Sequence, residues 1–155
     1  MNQELSRQRQ RIIYLFEMPK REPGVSDEYL GHWARYLCIT CAGFLENGLK
    51  EIFKDYLRAR CAPPILKFGS KTLERVTNAN AQKFVDLCGQ FNDEWRIDLE
   101  TFLADNGRKE AMDSIISIRH NLAHGGDYGV SLVRMRDYFD KSVQVIEFLE
   151  SKVNS

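Results

Sequence analysis

No stretch of this chain holds the roughly 20 consecutive apolar residues that a membrane helix needs, which argues against a membrane protein. Internal repeats, low-complexity tracts and sustained heptads are missing too, so solenoid, disordered and coiled-coil architectures drop out. There is no surplus charge of either sign. The 22 basic and 22 acidic residues balance to zero, whereas a protein that grips duplex nucleic acid by bulk electrostatics carries a basic excess. A local basic site is still compatible with that balance. The start, MNQELSRQRQRIIYLF, lacks the long apolar core and small-residue cleavage site of a secretion signal. The expectation is a cytoplasmic protein without a membrane partner.

Cysteine is sparse: Cys38, Cys41, Cys61 and Cys88. Without a secretion signal these are expected as thiols rather than bridges. Cys38 and Cys41 form a C-x-x-C, but RYLCITCAGFL reads as mid-helix, no second pair follows and no strand precedes it. Core packing is therefore the expectation, over zinc or redox chemistry.

What the chain does have is helical periodicity almost throughout. A first helix is expected from Gln3 to Met18, stopping before Pro19 and Pro23. Ser26 reads as the N-cap of a long second helix, with Asp27 and Glu28 at its positive end. Its apolar face runs from Cys38 through Leu45, Leu49 and Phe53 to about Leu57. Pro63 and Pro64 mark residues 61–69 as a connection, followed by a short helix over Ser70–Thr77. Asn80 caps the next helix, Ile97–Ala104 forms another ended by Asn106-Gly107, and two long helices occupy 108–124 and 131–151. The expected fold is one all-α domain over 1–155. It is an antiparallel helical bundle of four to five main helices plus short helical connections.

Chemistry concentrates in SIISIRHNLAHGG, residues 114–126. Met112, Ile115, Ile116, Leu122 and Ala123 mark an apolar side, and Arg119 falls on it four residues after Ile115. A guanidinium stays charged, so it needs an anionic partner or an opening to water; a structural ion pair is the plainest answer. His124 follows in the last turn, directly before Gly125-Gly126. On a continued helix Arg119 and His124 stand about 140° apart, but a loosened last turn brings them toward one concave spot. There a fixed cation holds a phosphate while an imidazole moves protons. Metal-free RNA cleavage needs those two functions. The 2′-hydroxyl loses a proton, the 5′-oxygen gains one, and charge on the phosphorus is stabilised.

This segment, ending a helix and followed by a short loop and a final amphipathic helix, resembles the signature of HEPN domains (higher eukaryotes and prokaryotes nucleotide-binding). Their pattern is Arg, a polar residue, three more residues, then His; here it is Arg119, His120, Asn121-Leu122-Ala123, His124. CAGFLENGLKEIFKDYL is similar to the earlier long helix of the RiboL-PSP type, in which an acidic residue faces the motif, and Glu46 holds that position. The resemblance implies a helical homodimer with two motifs lining one cleft and, in active members, a metal-independent endoribonuclease that acts as a toxin or in phage defence. It implies that His124 is the general base or acid, that Arg119 binds the scissile phosphate with Asn121 beside the substrate, that His120 orients one of them, and that Glu46 fixes Arg119. RNA is the implied substrate, an antitoxin or inhibitor protein a possible partner, and no cofactor is called for. One departure stands out. Toxins silenced by nucleotidyltransferase antitoxins carry a tyrosine two residues after the motif histidine, where this chain has Gly126, with Tyr128 two residues further on.

The same residues admit other readings. His120 and His124, spaced i, i+4, suit a shared zinc with Asp127 as third ligand, although position 121 is Asn121 and not the glutamate of a metalloprotease helix. A HEPN-like domain without cleavage activity would use Arg119 and His124 for dimerisation or for clasping a phosphate. A scaffold would use Trp33 and Trp95 as interface anchors, against the plainer expectation that both pack over the core edge. His32 is expected as a surface or packing histidine.

Overall fold

Side-chain caps set where most of the helices begin. Asn2, Ser26, Asn80, Asn92 and Ser131 each accept a hydrogen bond from a backbone N–H two or three residues ahead, satisfying donors that a helix start leaves without a partner. The computed structural model describes residues 2–126 and 129–155. Among them it is all-α, with no strand. The helices are α1 (Gln3–Glu17), α2 (Asp27–Arg60), α3 (Pro63–Glu74), α4 (Ala81–Phe91), α5 (Asp93–Leu103), α6 (Arg108–Ala123) and α7 (Leu132–Asn154), with a short 3-10 turn at Met18–Arg21.

Helix α2, 34 residues and so about 50 Å long, is the spine. The Asn2 side chain donates to Asp55 at one end, while Trp33 Nε1 donates to the Leu15 carbonyl at the other, so α1 runs antiparallel to α2. Arg9–Glu147 and Arg136–Glu17 set α1 antiparallel to α7 as well. Helices α2 and α7 consequently run the same way. They meet through the rings of Phe44 and Phe139, and at Gly48, where an added Cβ would lie 2.4 Å from Ile146 Cδ1. The fully buried Phe44, Phe53, Phe84 and Phe139 belong to one apolar cluster extending from Leu5 to Val153.

Helices α3 and α5 are shorter elements whose limits differ from those the sequence suggested, while α4 starts at the expected Asn80 cap. Residues 63–69 are helix, not loop. Pro63 and Pro64 occupy the first turn of α3, where a missing N–H costs nothing and the fixed φ already suits a helix. Of the piece expected over Ser70–Thr77, residues 70–74 are the end of that helix and 75–77 lie beyond it. Likewise α5 starts at Asp93 instead of Ile97, because the Asn92 side chain accepts from both Glu94 and Trp95 N–H. Trp33 and Trp95 both pack against the core, Trp95 edge-on to Tyr56. His32 is exposed, with Nε2 3.9 Å from a Glu28 oxygen. Cys38 and Cys41 lie buried in mid-α2, and all four cysteines are free thiols. No helix among the described residues is long and apolar enough to cross a membrane.

Candidate active site at the end of helix α6

Helix α6 buries Ala111, Met112, Ile115, Ile116 and Ile118, and Arg119 leaves this face beside a close crossing with α2. Cys38 Sγ donates to the Ile115 carbonyl across 3.4 Å, a contact that only a small side chain permits. Burial pushes the Cys38 thiol up to about 12, so it fills space behind Arg119 and is no nucleophile.

The Arg119 side chain is 37% exposed and reaches out of the core to two partners. Its Nη1 donates to Asn78 Oδ1 and lies 4.0 Å from Glu46 Oε1 on α2. That same Glu46 oxygen accepts the Asn78 backbone N–H at 2.7 Å. Glu46 thus fixes the backbone of the residue whose side chain fixes Arg119. Asn78 sits between α3 and α4 with φ 51°, a left-handed conformation that asparagine tolerates better than most residues.

Helix α6 ends in a Schellman closure. Gly126 N–H donates to the Asn121 carbonyl at 2.9 Å and Gly125 N–H to the Leu122 carbonyl at 3.2 Å. Gly125 carries φ +75°, and a Cβ on Gly126 would lie 3.0 Å from the Asn121 oxygen, so both positions suit glycine. His124 stands at the cap itself with φ −96° and ψ 15°, off the helical path. Its ring meets that of His120 edge-on, with centroids 4.4 Å apart, and both histidines are exposed.

A groove of about 450 Å³ borders this end of α6, with Asn78 on one wall and His120 on the other. The site is therefore a chain of contacts from Glu46 through Asn78 to Arg119, with His120 lining the same groove as Asn78 and meeting His124. Of the residues singled out in the sequence, Arg119 and Glu46 come together, as do His120 and His124. Asn121 contributes its carbonyl to the helix ending. Asp127, the third ligand of the zinc reading, and Tyr128 lie outside the described residues. Asn78 was not foreseen: it lies 41 positions before Arg119. In NANAQ the sequence signals only the Asn80 cap.

Residues 4–155 match the RiboL-PSP-HEPN family model. The chain belongs to the RiboL-PSP-HEPN family. The match spans every helix described above except the first residue of α1, and it agrees with an all-α HEPN fold. No curated protein and no solved structure matches the chain.

Proposed function

We propose that this RiboL-PSP-HEPN domain is a metal-independent endoribonuclease whose chemistry lies at the end of α6. The supporting observation is the joint arrangement of a part-exposed, internally braced Arg119 and an exposed His120–His124 pair at a tightly closed helix terminus. Arg119 binds the scissile phosphate and offsets the charge that builds on it. His124 exchanges the proton: as base it takes it from the 2′-hydroxyl, whose oxygen attacks phosphorus, or as acid it gives one to the departing 5′-oxygen. His120 orients His124 through the ring contact, Asn121 flanks the substrate, and Glu46 braces Arg119 by way of Asn78. The products are a 2′,3′-cyclic phosphate and a 5′-hydroxyl.

The working unit in this reading is a cytoplasmic homodimer with two motifs in one cleft, so that one copy's histidine can supply the acid while the other's supplies the base. Its role is that of a toxin or antiphage effector restrained by an inhibitor or antitoxin protein. A second reading has its own support. Because Asn78 and Glu46 already satisfy Arg119, a domain that only dimerises or binds RNA or nucleotides would look the same at this arginine. Incubation with mixed RNA in excess EDTA separates the two. The nuclease reading expects cleavage by wild type and loss of it in Arg119→Ala and His124→Ala. Intact RNA with wild type both with and without EDTA rejects it in favour of the binding module, and cleavage that EDTA abolishes points to the zinc reading.

A further inference from the structure

The groove beside His120 is walled by carboxamides. Asn78, Asn80 and Gln82 line one side, Ser117 and His120 the other, and the largely buried Ile116 lies at its base. Asp113 and Lys109, the charged side chains that line it, are already engaged. One Asp113 oxygen accepts the Ala81 N–H and the other the Lys109 ammonium.

The two asparagines have fixed orientations. A guanidinium has donors only, so the Asn78 oxygen must be the atom facing Arg119. The Lys83 backbone N–H fixes Asn80 in the same way, since Asn80 Oδ1 accepts it at 3.0 Å as the cap of α4. Each side chain therefore has its –NH2 group left to offer the groove, and neither can flip to present oxygen without losing its bond. Guanine and uracil carry carbonyl oxygens where adenine and cytosine carry amino groups. These two fixed donors accept a carbonyl of the first pair and meet an amino group of the second donor to donor, whereas Gln82 already donates its –NH2 to Asp86; single-stranded RNA is the nucleic acid whose base edges are free to be read this way.

Resting on the reading of the α6 terminus as an RNA-binding site, we infer that this groove is a base-recognition subsite selective for a keto base, guanine or uracil, next to the scissile phosphate. Asn78 and Asn80 supply the selective donors. Ile116 provides an apolar contact for the ring, and Ser117 lies across the groove.

Fluorescence anisotropy with short 2′-O-methyl oligouridine, oligoadenosine and oligocytidine tests this without catalysis, because the methyl group blocks the attacking oxygen. Wild type is expected to bind oligouridine roughly tenfold tighter than either amino-base oligomer, as one well-placed base contact allows. Asn80→Asp keeps the capping oxygen but replaces the donor with an acceptor, and Asn80→Ser keeps a capping group without adding charge. Both should bring the ratio close to one with unchanged helical circular dichroism; the ratio is read because the aspartate weakens binding of every anionic oligomer. Equal binding of the three oligomers by wild type, absence of binding, or a ratio unchanged in both variants overturns the subsite. A preserved uridine preference in a protein that leaves cleavable RNA intact supports the subsite and rejects the nuclease. Cleavage with a flat binding ratio does the reverse.

Discussion

Asn78 accepts a hydrogen bond from the Arg119 guanidinium while its own backbone N–H donates to Glu46. This one loop residue connects α2 to the motif on α6. It turns a cation on an apolar face into a held group. The direct Glu46–Arg119 approach of 4.0 Å, with Arg119 37% exposed, contributes at most about 1 kcal/mol. The asparagine is thus the stronger tether, and Glu46 acts chiefly on the asparagine's backbone.

Removing the Asn78 side chain should release Arg119. Asn78→Gly keeps the left-handed backbone and is expected to slow RNA cleavage about tenfold, the worth of one charge-assisted hydrogen bond. Asn78→Ala should show the same kinetic loss and a further destabilisation of about 1–2 kcal/mol, because alanine resists a φ of 51°. Cleavage rates and urea unfolding measure the two effects separately. An Asn78→Gly protein as active as wild type would remove Asn78 from the site.

Glu46 should matter more to stability as an acceptor than as a charge. Glu46→Ala strands the Asn78 N–H and is expected to lose about 1–3 kcal/mol, whereas Glu46→Gln, which still offers an oxygen, should lose less than about 1 kcal/mol. Urea midpoints that fall equally for both would assign the effect to charge instead.

The turn that places His124 should fail with a single methyl group. Gly125 has φ +75°, so Gly125→Ala is expected to cost about 1–2 kcal/mol and to lower cleavage while RNA binding through Arg119 persists. A binding assay beside a rate assay checks this. Unchanged cleavage would mean that the Schellman closure does not position the histidine.

The thiols should be inert in the folded protein. Burial pushes Cys38 and Cys88 up to about 12 and Cys41 well above its ordinary value, so an aromatic disulfide reagent at mild pH should label Cys61 quickly and the others only on unfolding. The raised groups keep their protons in the folded chain after the unfolded chain has lost them. Their contribution to stability is accordingly complete below about pH 9 and declines as pH rises toward about 12. Alkaline urea titrations with Cys88→Ala, which lacks one such thiol, should show a shallower decline.

Local signals were enough for much of this molecule. Ser26 and Asn80 cap helices where their side chains suggested, and the Asn106-Gly107 pair takes the left-handed geometry its residues favour. Pro63-Pro64 misled because proline both ends and begins helices, and which it does depends on whether α3 finds a surface on α2 to cover. The motif on α6 was legible because Arg119, His120 and His124 are close in sequence. Asn78 was not, because its role depends on α2, α6 and the α3–α4 loop meeting, and no periodicity records a contact across 41 residues.

In the proposed reaction a 2′-hydroxyl, activated at the end of α6, breaks the RNA chain. A labelled oligoribonucleotide carrying one cleaved site, and its twin with 2′-deoxy substitution at that nucleotide alone, measure this directly in EDTA. The expected result is a 2′,3′-cyclic phosphate and a 5′-hydroxyl from the first, no cut in the twin, and neither product with His124→Ala. Cleavage of the deoxy twin, or products ending in 5′-phosphate, would contradict it.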